Sequence, residues 1–281
     1  MNRQDIVNEL RDRGYVAEIK DVKKNGTVLK GIVIIGEANP TPIIYTDKII
    51  ENENSVSSAA DMVLSVYKEH SPCDIQMEDI LKAEYLKDKL FITLCKAGAE
   101  SVNITRHNAY LEGVDDCLAA ALINTPGKGA IMKIPEELLK KIGMKEETAW
   151  EIARANTVKN AHIGLFGDVL AGMIKEDGEG EELIEAAKAV SRRMVIASNA
   201  NKFHGAGVIY AMDRIKRIAN ADKIIVIPSS IHELIIYKYD EDMDIEDFNY
   251  MVKEVNKELD PEDVLRWGRC HWARLKRRVL L

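Results

Sequence analysis

Apolar positions alternate between helical and strand spacing along the chain. Ile6, Val7 and Leu10 lie on one stripe of Asp5–Asp12 and predict a short opening helix. Two β-rich runs follow, Tyr15–Val22 and Thr27–Ile35, joined by Lys23-Lys24-Asn25-Gly26. Asn-Gly between such runs is the strongest short hairpin signal. Asn39-Pro40-Thr41-Pro42 breaks the pattern, and Ile43-Ile44-Tyr45 reads as a third short strand. Ala60, Val63, Leu64 and Tyr67 mark Ser57–His70 as an amphipathic helix, with Ser57 or Ser58 as its cap.

Leu90–Cys95 and Cys117–Ile123 read as strands, although Asp115–Ile123 also fits a helix, and Ala130–Ile134 is a further strand. Pro135–Ile142 and Glu146–Asn156 read as two helices broken near Gly143. Lys175–Glu182 is an acidic, Gly-interrupted surface loop leading into a helix over Glu181–Val190. The order then becomes regular: a strand at Met194–Ala197, a polar loop over Ser198–Gly207, and a helix at Val208–Ala219 with Val208, Met212, Ile215 and Ala219 on one face. Strands at Lys223–Ile227 and Ile231–Tyr237 flank Pro228-Ser229-Ser230, and Asp244 caps a helix running to Leu259. The expectation is an α/β (α+β) fold: a mixed, partly antiparallel sheet with packed helices and a C-terminal βαββα block. Thr125–Gly129 suggests a soft boundary between regions 1–125 and 126–265, with a single domain as the alternative, and 266–281 forms a basic tail.

Composition narrows the class. With 281 residues, 46% hydrophobic and 30% charged, the chain has the balance of a folded globular protein rather than a disordered one. A net charge of −7 disfavours a general nucleic-acid binder. Val264–Leu281 nevertheless holds six cations and no acid, so nucleic acid is a partner only through that tail. Cys73, Cys95, Cys117 and Cys270 contain no Cys-x-x-Cys, and buried free thiols are expected rather than disulfides or a zinc site. No apolar leader opens the chain and no apolar run approaches the ~20 residues of a membrane span, so a cytoplasmic protein with no membrane partner is expected. No cofactor is expected, and the oligomeric state is open.

Several phrases of the chain together resemble an uncharacterised family, domain of unknown function 5688, whose members come mainly from gut clostridia and their relatives. They are Pro228-Ser229-Ser230-Ile231-His232-Glu233, Glu254-Val255-Asn256, Pro261-Glu262-Asp263-Val264-Leu265, Ala153–Thr157 and His204-Gly205-Ala206. The Lys24-Asn25-Gly26 hairpin, its following strand and Ile43-Ile44-Tyr45 fit the same pattern. The resemblance implies an architecture but no activity. After Leu265 such proteins end in a short Tyr/Asp-containing segment, whereas Arg266–Trp272 here leads into a basic end.

Candidate chemistry centres on two loops. In an extended strand Ser230 and His232 share one face, and Ser229 and Glu233 the other. The serines either satisfy free backbone groups at a bend made by Pro228 or contact a ligand. There is no Gly-x-Ser-x-Gly, and His232-Glu233 lacks the second histidine of a zincin helix, since residue 236 is Ile. The loop Asn199–Gly207 offers backbone N–H groups at a helix start, with Lys202 and His204 adding positive charge, and could hold an anion or be a plain strand-to-helix turn. If the two loops meet, Asn201, Lys202, His204, Ser230 and His232 form a ligand site. Asp240, Asp242 and Asp244 begin like a calcium loop, but residues 245 and 251 are Ile and Met, so no metal site is expected. His107 reads as a surface or partly buried histidine. In the tail, Arg266, Trp267, Arg269, Trp272, Arg277 and Arg278 form either a contact for a macromolecule or a frayed basic end. With no complete catalytic motif, the expectation is a non-catalytic binding or accessory protein engaging a macromolecular partner, with a protein among the candidates. The alternative is a hydrolase or transferase with a site near His204 and His232.

Overall fold

The computed structural model describes residues 1–24, 27–36, 42–70, 77–98, 103–108, 111, 113–125, 128–168, 185, 193–228, 230–240, 246, 250 and 271–272. The Asn25-Gly26 turn, the Asn39–Thr41 break, the acidic loop after Lys175, the expected helices over 181–190 and 244–259 (single positions apart), Ser229, Asp242, Asp244, Cys73 and Cys270 lie outside them. The chain forms two compact units, Met1–Lys82 and Ala83–Leu281. At the Thr125–Gly129 interruption, Thr125 and Lys128 are paired residues of two strands in one sheet of the second unit.

In the first unit, α1 (Arg3–Asp12) opens with a reciprocal capping box. Asn2 Oδ1 accepts the Asp5 N–H at 3.1 Å, and Asp5 Oδ2 accepts the Asn2 N–H at 2.8 Å. β1 (Val16–Lys24) pairs antiparallel with β2 (Thr27–Ile35), and β3 (Ile43–Tyr45) joins β2. α2 (Asp47–Asn52), α3 (Val56–His70) and α4 (Met77–Ile80) complete the unit. The core joins Ile6, Val7 and Leu10 to Ile32, Ile34, Ala60 and Val63. The helical and strand stripes expected from spacing thus meet, each large aliphatic side chain contributing roughly 1.5–3 kcal/mol by burial. The cap of α3 is Ser55, whose Oγ accepts the Ser58 N–H at 3.1 Å, rather than Ser57 or Ser58. Ser58 itself donates to Glu53.

The second unit begins with α5 (Ala83–Lys87) and β4 (Leu90–Lys96). β5 (Arg106–Asn108), β6 (Val114–Thr125) and β7 (Lys128–Lys133) follow. The long β6 pairs with β4 on one side and with β5 and then β7 on the other. Its strand state settles the helix-or-strand ambiguity of Asp115–Ile123. α6 (Glu136–Lys141) and α7 (Glu146–Lys159) lead to β8 (Ala161–Leu165). β9 (Met194–Asn199), a 3-10 helix over Gly205–Ala211, α8 (Met212–Ala219), β10 (Ile224–Pro228) and β11 (Leu234–Lys238) follow, and His271–Trp272 forms β12. Val208, Met212, Ile215 and Ala219 are all buried, as their spacing predicts, although the first turns are 3-10.

The fold is mixed α/β, with helices packed on antiparallel sheets. The sequence pattern predicts a mixed sheet, yet every described strand pairing is antiparallel. β9 and β10 do point the same way, but β11 lies between them in the order β12-β10-β11-β9-β8. That is a split β–helix–β arrangement, and it brings the start of β11 next to the end of β9.

Cys95 and Cys117 form a disulfide, contrary to the expected free thiols. Antiparallel pairing sets Thr93 opposite Cys117 and Cys95 opposite Asp115, so the cysteines are diagonal neighbours with Cα atoms 6.6 Å apart. A spacing of 22 residues gives no hint of that register. No described helix is long and apolar enough to cross a membrane.

Candidate functional site

The two loops singled out by sequence meet. The side chain of Asn199 closes the first onto itself: Oδ1 accepts the Phe203 N–H at 3.1 Å, and Nδ2 donates to Phe203 O at 2.7 Å. Lys202 and His204 both take left-handed backbone conformations, each with φ 53°. Such a conformation costs a non-glycine residue about 1 kcal/mol or more. The segment before β11, not part of the strand expected over Ile231–Tyr237, holds it in place. His204 N–H donates to His232 Nδ1 at 3.0 Å, and Gly205 N–H and Ala206 N–H donate to the carbonyls of His232 and Ile231 at 3.0 and 3.1 Å. Ser198 Oγ donates to His232 O at 2.7 Å, and Ser230 Oγ accepts the His232 N–H at 3.0 Å. The rings of His204 and His232 meet edge to face, 5.3 Å between centres.

His204, Ser230 and His232 therefore converge. Lys202 is exposed and Asn201 half-buried, and neither lines the adjoining cavity. That cavity, bordered by His204, Thr157 and Asn156, measures about 60 Å³, room for roughly two waters. His204 Nδ1 lies 3.2 Å from Thr93 Oγ1. The backbone N–H groups that could have cradled an anion are bonded to the segment before β11. Gly205 is required by closeness, since a Cβ there would meet His232 O at 2.7 Å. The arrangement braces β9, the 3-10 helix and β11 against one another. Of the tail residues, only the backbone of His271–Trp272 is described, pairing with Val226 and Ile225 on the edge of β10; the side chains of Arg266, Trp267, Arg269, Trp272, Arg277 and Arg278 lie outside the described residues.

A second site, which sequence reading missed, lies between α7 and the face of the β4–β6–β5 sheet. It is a groove of about 650 Å³. Asp116 of β6 and His107 of β5 are cross-strand partners on one face. Opposite them, Glu146, Trp150 and Arg154 recur every four residues on α7, with Glu147 and Glu151 beside them. Tyr210, from the 3-10 helix, closes one end. Its hydroxyl donates to Asp116 Oδ2. The Arg154 guanidinium lies over the Tyr210 ring, 4.6 Å from its centre. Glu146 Oε1 accepts the Trp150 indole N–H at 3.1 Å and lies 3.1 Å from His107 Nε2, while the rings of His107 and Trp150 stack at 4.3 Å.

A family described as being of unknown function, DUF5688, matches residues 3–267. The chain belongs to this family. No curated protein and no solved structure matches it. The DUF5688 match takes in both units and every residue of the groove.

Within this DUF5688 chain Asp116 is 4% exposed, and its Oδ1 has no hydrogen-bond partner among the described residues. Burial pushes its carboxyl up to about 6; the Tyr210 hydrogen bond and the charges of Arg154 and His107 pull it down, and Asp115 pushes it further up. Burial and the nearby Asp116 push the Tyr210 hydroxyl up, so it keeps its proton. Asp115 points to the opposite face, where it accepts from Gly98 N–H at 3.0 Å and Arg106 Nη1 at 3.3 Å. The groove thus holds a carboxyl that can change protonation near neutral pH beside a hydroxyl that cannot. One signal was present in the sequence: two adjacent aspartates inside an apolar run, which in a strand must face opposite ways.

Proposed function

We propose that the protein is a binding protein that engages a macromolecular partner, and that the groove between α7 and the β4–β6–β5 sheet is the contact. One observation carries this reading: Asp116, whose buried Oδ1 has no hydrogen-bond partner among the described residues, lines a groove large enough for an organic group. Leaving such an oxygen unpaired costs roughly 1–3 kcal/mol, which a bound donor recovers. The reading places the protein in the cytoplasm, in keeping with its acidic, charge-rich composition. The Cys95 and Cys117 sulfurs belong to residues 1% and 0% exposed, so cellular thiols have little access to them.

A hydrolase or transferase centred on His204 and His232 has less support. His232 Nδ1 is engaged by a backbone N–H, and the adjoining cavity holds only water-sized groups.

The test is co-purification of the tagged full chain with its partner, comparing wild type with Trp150→Ala, Arg154→Ala, His232→Ala and a deletion of 266–281. Loss of the partner in folded Trp150→Ala or Arg154→Ala supports the groove. Retention in both, with loss on deletion of the tail, overturns it in favour of the tail.

A further inference from the structure

The charge around the groove is one-sided. Asp116 forms its floor, and Glu146, Glu147 and Glu151 line it from α7; Arg154 is the opposing cation, with His107 at the edge. Arg154 is also committed, its guanidinium lying on the Tyr210 ring and its charge set against Asp116. An anionic ligand approaching Arg154 would pass three glutamates. A cationic one would meet carboxylates on α7 and end at Asp116, whose Oδ1 has no hydrogen-bond partner among the described residues. The walls suit the stem of such a ligand, since Ile92, Trp150 and Tyr210 supply apolar and aromatic surface.

We propose that the groove binds an alkylammonium or guanidinium group, with the Asp116 carboxylate as its terminal acceptor and Glu147 and Glu151 drawing it in. The proposal rests on the groove being the binding site, and it adds the chemistry of what enters. A lysine or arginine side chain of a partner protein carries that group, and so does a free polyamine.

The test uses ¹⁵N-labelled full-length protein and the indole N–H resonance of Trp150, assigned against the chain's two other tryptophans by Trp150→Phe. Probes are N-acetyl-lysine methylamide, N-acetyl-arginine methylamide, spermidine, the uncharged N-acetyl-norleucine methylamide and N-acetyl-glutamate methylamide. The cationic probes are expected to shift the Trp150 resonance and to bind at least about 10-fold more tightly than norleucine, as a charge-assisted hydrogen bond provides. Asp116→Asn, with its fold checked by the rest of the spectrum, is expected to weaken them about 10-fold. Glu147→Gln with Glu151→Gln is expected to weaken them severalfold, most at low salt. Tighter binding of the amino-acid amides assigns a protein side chain as the source, and tighter binding of spermidine assigns a polyamine; either supports the proposal. Binding of norleucine or glutamate equal to that of the cations, or an Asp116→Asn affinity within twofold of wild type, overturns it. If the cationic probes fail while Trp150→Ala still abolishes partner binding, the ligand class is wrong and the groove stands. If neither responds, both fall.

Discussion

Tyr210 donates its hydroxyl hydrogen to Asp116 across 94 positions of sequence, so a 3-10 helix and a sheet strand share one polar contact inside the second unit. Burial of the Asp116 carboxyl makes stability depend on pH. The Asp116 carboxyl is held near 6, above its ordinary 3.8, so the folded chain binds this proton more tightly than the unfolded chain does. Folding is favoured below about 4, and the advantage is lost as pH rises through 6. Asp116→Asn removes the effect. Its stability relative to wild type is expected to improve by on the order of 2–3 kcal/mol between pH 4 and pH 7.5. Urea melts of both proteins across that range check it, and parallel profiles refute it.

Tyr210→Phe deletes the donor and leaves Asp116 Oδ2 without it. The loss is expected to be about 1–3 kcal/mol. The carboxyl should also titrate at higher pH than in wild type, because the hydrogen bond that favours its charged form is gone. Carbonyl-carbon NMR titration of Asp116 reads this directly. A downward movement would contradict the geometry.

Thr157 Oγ1 accepts the Ile92 N–H at 2.9 Å and donates to Ala153 O at 2.7 Å, tying α7 to β4. Thr157→Val keeps the shape and removes both bonds. A loss of roughly 1–3 kcal/mol is expected, with faster amide exchange at Ile92. Thr157→Ser should recover most of it.

A Cβ on Gly207 would collide with the Ile92 carbonyl, its carbon only 2.7 Å away. Gly207→Ala is expected to cost about 1–3 kcal/mol by overpacking and to move Tyr210, three residues on, away from Asp116. A crystal structure of the variant with the Tyr210–Asp116 bond intact would show that the strand yields instead.

His232→Ala removes the acceptor for the His204 N–H while His204 holds a left-handed backbone. A loss of about 1–3 kcal/mol is expected, with increased proteolysis in the Asn199–His204 loop. Limited proteolysis of His232→Ala and of His232→Asn, whose amide oxygen can accept in its place, separates the lost bond from the lost ring.

The elements were legible wherever spacing alone decides. The stripe of α1, the strands flanking Asn25-Gly26 and the face Val208–Met212–Ile215–Ala219 all emerge as read. The phrases that carried the family resemblance have structural work within the fold. Asn156 donates to Lys87 O and Leu90 O, Thr157 ties α7 to β4, and His204-Gly205-Ala206 bonds to Ile231 and His232. The groove was not legible, because it depends on register. Nothing local places His107 opposite Asp116, or Tyr210 beside it. The same holds for Cys95 and Cys117, which a one-residue slip of β4 would turn to opposite faces. The insertion of β11 between β9 and β10 was likewise hidden, since chain order does not fix strand order.

The groove takes its walls from β4, β5, β6, α7 and the 3-10 helix, segments spread from residue 90 to residue 211. No fragment holding only some of them contains it. Closing such distant contacts comes late and slowly in folding. An occupant would therefore select chains whose second unit is already complete, and in binding one it would shield every wall-forming segment from degradation at once.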